Sequence, residues 1–174
     1  MKKILIAYYS RADENYVGGS LKYLSVGNTE VLAKKIAEKT GGELFKIEQE
    51  TPYSAGYNDC IEEARRDQRT NARPKLKKDL ASVADYDEIY LGYPNYWGTM
   101  PMAVFTFLEK FYWSDKRIIP FCTNEGSGLG SSVRDIKSIC KGANVSDGLS
   151  IIGHETQDSA ETIINWAKNE IKNK

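Results

Sequence analysis

Three short stretches of the chain hold residues whose types and spacing could bind an anionic, planar molecule. The first pairs Ser10 and Arg11 with Gly27, Asn28 and Thr29, the last three opening a helical pattern. A helix N-terminus presents backbone N–H groups that have no intrahelical partner, so it attracts anions. The helix dipole alone contributes only about 0.3–1 kcal/mol. Holding a phosphate therefore needs several charge-assisted hydrogen bonds, at roughly 1.5–3 kcal/mol each. Ser10, Asn28, Thr29 and nearby N–H groups can supply them. Arg11 either adds a guanidinium fork or lies on the surface, and taken alone Asn28 and Thr29 suit ordinary helix capping better than phosphate binding. No GxxxxGK occurs, which excludes a P-loop for nucleoside triphosphates.

The second stretch is Pro94-Asn95-Tyr96-Trp97-Gly98, with two adjacent aromatics in a tight loop. The third is Thr123-Asn124-Glu125-Gly126-Ser127-Gly128, rich in donors and in backbone that a ligand can approach closely. Its glycines read GxGxG rather than GxGxxG and follow a late strand, so it is not a dinucleotide fingerprint. An aromatic pair alone serves equally as a protein contact or a core anchor. Taken together, stacking, ring-edge hydrogen bonds and a phosphate site describe flavin mononucleotide (FMN).

These loops must be placed by the elements between them. Residues 3–9, "KILIAYY", are almost continuously apolar, as in a parallel strand covered on both faces. A polar, glycine-containing loop is expected over 10–27. A helix follows from Asn28, with Leu32, Ala33, Ile36 and Ala37 on one face, capped by Asn28 or Thr29 and ended by Gly41-Gly42. Strands are predicted at 43–48, 87–94, 117–123 and 145–152. Helices are predicted at 58–69, 100–113, 131–139 and from Asp158. In the last helix, Asp158 and Glu161 have capping-box spacing, and Ile163, Ile164, Ala167 and Ile171 form the apolar stripe. The β-α alternation predicts one domain over 1–174, a doubly wound α/β sheet. Ligands in such sheets bind beyond the carboxyl ends of the strands, where all three loops emerge.

Composition narrows the alternatives. Twenty-four basic residues balance 24 acidic ones, so no global field recruits nucleic acid. The run Arg73–Lys78 reads as a solvated face. No apolar run is long enough to insert into a membrane, and no secretory signal is read before the first strand. Cys60, Cys122 and Cys140 form no CxxC and no zinc spacing, which suits a reduced, cytoplasmic setting. His154 is the only histidine.

In this order, "YYS", "GNTE", "GYPNYWGTMP" and "CTNEGSGLGSS" resemble the flavodoxin-like proteins along essentially the whole chain. The resemblance implies a five-stranded parallel sheet in the order 2-1-3-4-5 with helices on both faces, noncovalent FMN, and one- or two-electron chemistry. It implies that Ser10, Arg11, Gly27, Asn28 and Thr29 form the phosphate loop. Pro94 to Gly98 would flank the isoalloxazine, and Thr123 to Gly128 would run along its other edge. The chain departs from the family in three ways. Residues 12–26 separate "SR" from "GNT", the long insertion in the fifth strand is absent, and the 123–130 loop has no aromatic to cover the second ring face.

The function expected is a flavodoxin-type electron carrier working with a redox protein or a small-molecule donor or acceptor. "YWGTMP" also resembles the matching loop of FMN-dependent NAD(P)H:quinone reductases, and an open ring face suits hydride transfer. A non-redox module binding another phosphorylated ligand or a protein is the alternative from outside redox chemistry. The extension at 12–26 reads as a flap, a dimer contact or a mobile loop, which leaves the oligomeric state open.

Overall fold

A computed structural model describes residues 1–172, without the side chains of Ala160, Glu170 and Ile171, so the stripe position expected for Ile171 lies outside the described residues. The main sheet contains β1 (Ile4–Tyr8), β4 (Glu43–Lys46), β5 (Glu88–Pro94), β6 (Arg117–Asn124), β7 (Asn144–Val145) and β8 (Leu149–Ile152). All pairings in it are parallel, in the order β4-β1-β5-β6, with β7 and β8 both on the far side of β6. Counting β7 and β8 as one interrupted strand, this is the 2-1-3-4-5 order. Helices α1 (Asn28–Thr40), α2 (Tyr57–Arg69), α3 (Met102–Leu108), α4 (Ser132–Ile139) and α5 (Ala160–Lys172) complete the fold.

Alternation along the strands builds two cores. Leu5, Ala7, Ile89, Leu91, Tyr93, Ile118 and Cys122 pack with α3 and Ile136 of α4. Ile6, Tyr8, Tyr90, Ile119 and Phe121 pack on the other face against Leu32, Ala33 and Ile36 of α1 and Ile163 of α5. Each fully buried Leu or Ile contributes roughly 1.5–3 kcal/mol, so a short apolar stripe suffices to dock a helix. Gly92 belongs to this second face. A Cβ there would lie 2.2 Å from Phe121 Cζ, so the Phe121 ring fills the space that the glycine leaves.

Five expectations are corrected by the structure. First, the fifth strand is broken at residues 146–148. Ile118 accepts from the Ser146 N–H across the gap to β7, and Arg117 donates toward β5, so Pro120 faces the same side as Ile118. Proline has no N–H to give there, and the ladder lapses beside it. Second, residues 10–27 are not an irregular loop. They contain a separate antiparallel hairpin, β2 (Asp13–Val17) and β3 (Ser20–Leu24), joined by Gly18-Gly19 at φ 61° and 89°. Positive φ at both positions is what a two-residue hairpin turn requires.

Third, α3 stops at Leu108, before the predicted Trp113, because the Trp113 indole donates to the Leu108 carbonyl at 2.7 Å. Fourth, Asn28 and Thr29 lie inside the first turn of α1, and Gly27 is its N-cap. Fifth, α5 begins one position later than the Asp158–Glu161 box requires. The Ser159 carbonyl accepts the Ile163 N–H, while the Ser159 hydroxyl turns back to the Glu155 carbonyl.

Gly92→Ala is expected to lose about 1–3 kcal/mol of stability through overpacking. Combining it with Phe121→Leu should recover part of that loss, a coupling readable in a urea-unfolding double-mutant cycle.

Candidate functional site

The carboxyl ends of β1, β5 and β6 open into a cleft of about 390 Å³. At the first end, α1 starts against the Ser10-Arg11 turn. The approach is so close that a Cβ on Gly27 would lie 2.3 Å from Ser10 Oγ and 2.4 Å from the Arg11 carbonyl oxygen. Only glycine fits there. Ser10 Oγ accepts the Glu30 N–H at 3.0 Å, and the Val31 N–H goes to the Gly27 carbonyl. The N–H groups of Asn28 and Thr29 therefore stand at the helix mouth without intrahelical partners. The Glu30 carboxylate is neutralised beside them by Lys34 and Lys46, each at 2.9 Å. Partial burial alone would raise its pKa, but the hydrogen bonds and charges of the two lysines outweigh that and hold the carboxyl below its ordinary range.

The second loop is a tight turn. Tyr96 and Thr99 exchange backbone hydrogen bonds across Trp97 at φ 53° and Gly98 at φ 85°. A tryptophan in the left-handed region is uncommon. Its effect is to send neighbouring aromatics in opposite directions. Tyr96 turns inward, edge-on to Tyr9 at 5.9 Å, with its hydroxyl pKa pushed well up by burial. Trp97 turns outward and is 44% exposed. Its indole N–H donates to the Ile61 carbonyl at 2.9 Å, and the Arg65 guanidinium lies 4.6 Å from the ring centroid. The two aromatics thus divide the tasks of anchor and exposed surface.

The third loop is organised by Asn124. Its Oδ1 accepts from the N–H groups of Gly126 and Gly128, and its amide donates to Ser150 Oγ at 2.8 Å. Those two glycine amides are thus engaged within the loop. Asn95 Nδ2 donates to the Gly128 carbonyl at 2.9 Å, which ties the second loop to the third. Thr29 Oγ1 and Thr123 Oγ1 meet at 2.9 Å in the interior, which ties the third to the first.

Of the residues singled out from sequence, Arg11, Asn28, Pro94, Asn95, Tyr96, Trp97, Gly98, Thr123, Asn124, Glu125 and Ser127 line the cleft. Ser10, Gly27, Thr29, Gly126 and Gly128 stand behind that wall in the supporting roles just described. Arg11 differs from both of its expected roles. Its guanidinium donates to the carbonyls of Ser54 at 3.0 Å, Ala55 at 2.7 Å and Glu14 at 3.1 Å, holding the hairpin against the approach to α2. It is a backbone clamp whose terminal nitrogens are already engaged.

The wall also includes residues that the sequence did not point to. Asn15 and Tyr16 come from β2, Tyr57, Cys60, Ile61 and Ala64 from α2, and Gly153 follows β8. The α2 set has i, i+3, i+4, i+7 spacing and is visible as a helix face, but not as a cleft wall. Tyr16 and Tyr57 stand 6.3 Å apart at 34°, so this cleft has aromatic lining beyond Tyr96 and Trp97 although the 123–130 loop has none. Cys60 is a buried thiol with its pKa raised by that burial. Among the described residues no cluster of His, Cys, Asp and Glu could hold a metal ion.

Residues 20–170 match the model of the flavodoxin family, and this chain belongs to that family. Among solved structures it is similar to a flavoprotein of Bacteroides uniformis, at 27% identity and a TM-score of 0.75, covering 96% of this chain and 98% of that one. It is also similar to a flavoprotein of Bacteroides eggerthii, at 25% identity and a TM-score of 0.76, covering 97% of each chain. A Lactobacillus acidophilus flavoprotein solved in complex with FMN shares the fold at 22% identity and a TM-score of 0.64, over 92% of this chain and 99% of that one. No curated protein sequence matches.

The Thr29–Thr123 pair yields a direct test. Thr29→Val or Thr123→Val alone leaves one buried hydroxyl without its partner and should cost about 1–3 kcal/mol. The double variant should cost clearly less than the sum, as measured by chemical denaturation.

Proposed function

We propose that this chain is an FMN-binding redox protein of flavodoxin type, passing electrons between a redox protein or small-molecule donor and an acceptor. The observation that carries the reading is the meeting of three loops in one cleft. One offers the free N–H groups of a helix start beside a neutralised glutamate, one an outward indole, and one an Asn124-braced polar rim. The residues present fit the group: the approach of Gly27 to Ser10 leaves a cradle that a side chain would fill, and the cleft wall combines polar and aromatic surface. The FMN complex of the Lactobacillus acidophilus protein, which has the same fold, supports the reading.

Asn28 and the backbone N–H groups of Asn28 and Thr29 would hold the phosphate. Trp97 would offer the stacking surface, with Tyr96 bracing the turn from below. Asn95, Thr123, Asn124, Glu125 and Ser127 would bound the polar edge. When bound, FMN supplies the one- or two-electron chemistry. The chain positions it and sets how much water reaches it.

A second reading, direct reduction by NAD(P)H or of a quinone, is favoured by the wall formed by Tyr16, Tyr57, Ile61 and Ala64 beyond the three loops. An anaerobic visible spectrum of the FMN-loaded protein with NADPH separates the two. A band that stays yellow supports the carrier, and bleaching faster than that of free FMN supports the reductase. A protein that takes up no FMN removes both.

Trp97→Ala is expected to weaken FMN binding by roughly tenfold, the effect of about 1.4 kcal/mol of lost stacking. Tyr96→Phe should leave affinity nearly unchanged. Equilibrium titration of the apoprotein measures both.

A further inference from the structure

The β2–β3 hairpin is fastened to opposite walls of the cleft by two unequal attachments. At its base, Arg11 clamps Ser54 and Ala55, the Glu14 carboxylate accepts the Tyr57 N–H at 2.9 Å, and the Glu14 N–H reaches the Ala55 carbonyl at 3.3 Å. At its tip, the Gly18 N–H donates to Glu125 Oε2 at 3.2 Å, and the same oxygen meets His154 Nδ1 at 2.7 Å. Between these ends, Asn15 and Tyr16 of β2 form part of the cleft wall. The hairpin is a two-stranded sheet separate from the main one, and residues 20–23 of β3 are exposed. It thus runs from the start of α2 to the β6 loop, held at one end by several hydrogen bonds and at the other by the Glu125 carboxylate beside the buried Val17.

We propose that this hairpin is a strap across the cleft, latched by Glu125 and His154, and that unlatching its tip governs how fast a flavin nucleotide is taken up and released. The proposal rests on the FMN reading of the cleft. Glu125 is held in place by an imidazole outside the cleft wall, so the latch can be altered without touching a lining residue. Opening at the tip turns the hairpin about its clamped base and carries Asn15 and Tyr16 away from Asn28 and Glu125. The Gly18-Gly19 turn presents its amide to the latch with no side chain between them.

The geometry offers a reversible lock. A Cβ built on Gly18 lies 3.5 Å from His154 Cβ, within the range of about 3.5–4.5 Å that a disulfide spans. The variant Gly18→Cys/His154→Cys is oxidised with copper phenanthroline, and FMN uptake and release are timed by separating bound from free flavin. The same sample is then reduced with a phosphine and timed again. The native thiols Cys60, Cys122 and Cys140 are all buried and none is in a disulfide, and the single variants, oxidised and reduced alongside, control for them. Locking is expected to slow both uptake and release by at least about tenfold, as for a lid that must open, with full recovery on reduction. The single variants should show no response to reductant. Equal rates in the locked and reduced states overturn the strap and leave the FMN reading standing. No FMN binding in either state removes that reading and the strap's role with it.

Discussion

One buried hydrogen bond, Thr29 to Thr123 at 2.9 Å, joins the parts of this fold that a phosphorylated ring compound needs side by side. Thr29 lies in the first turn of α1, and Thr123 lies near the carboxyl end of β6, two strands away from β1 in the sheet. Two hydroxyls that meet away from water satisfy each other, and neither can be withdrawn without stranding the other. The helix start is therefore held at a fixed distance from the Asn124 loop, and Asn95 extends the same brace to the tryptophan turn. The three loops behave as one rim because their hydrogen bonds run between them as well as within them.

That rim explains why residues outside the cleft wall matter to it. Gly27 lets two backbone segments pass closer than any side chain would allow. Asn124 spends its carbonyl oxygen on two glycine amides, which makes the loop a rigid polar edge rather than a set of free donors. Lys34 and Lys46 cancel a carboxylate where a negative ligand would otherwise be repelled. Position and charge at the mouth of α1 are thus set by neighbours one layer behind it.

The parts legible in the sequence were those with a physical signature on a single segment. Residues 3–9 read as a strand because a strand covered on both faces is apolar throughout. The helix from Asn28 showed its buried stripe in Leu32, Ala33 and Ile36. The hairpin was harder to read: residues 20–23 are all exposed in the fold, so no buried alternation marks β3, and Gly18-Gly19 is the one local sign of the turn. The clamp that Arg11 makes on three carbonyls depends on where Ser54 and Ala55 come to rest, and its own segment carries no trace of that. The same holds for Tyr57 and Ile61, whose helix face is readable but whose neighbour is not.

The proline in β6 has a consequence beyond the lapse in the ladder. Beyond β6, β7 and β8 form an edge of the main sheet, and a long straight edge strand is a template on which another chain can pair. Because Pro120 interrupts the last strand, that edge presents only a two-residue strip and a four-residue strip, separated by a bend. Short, offset strips are poor templates for edge-to-edge association. A residue that withholds one hydrogen bond from the ladder thereby shortens the strips that the edge offers.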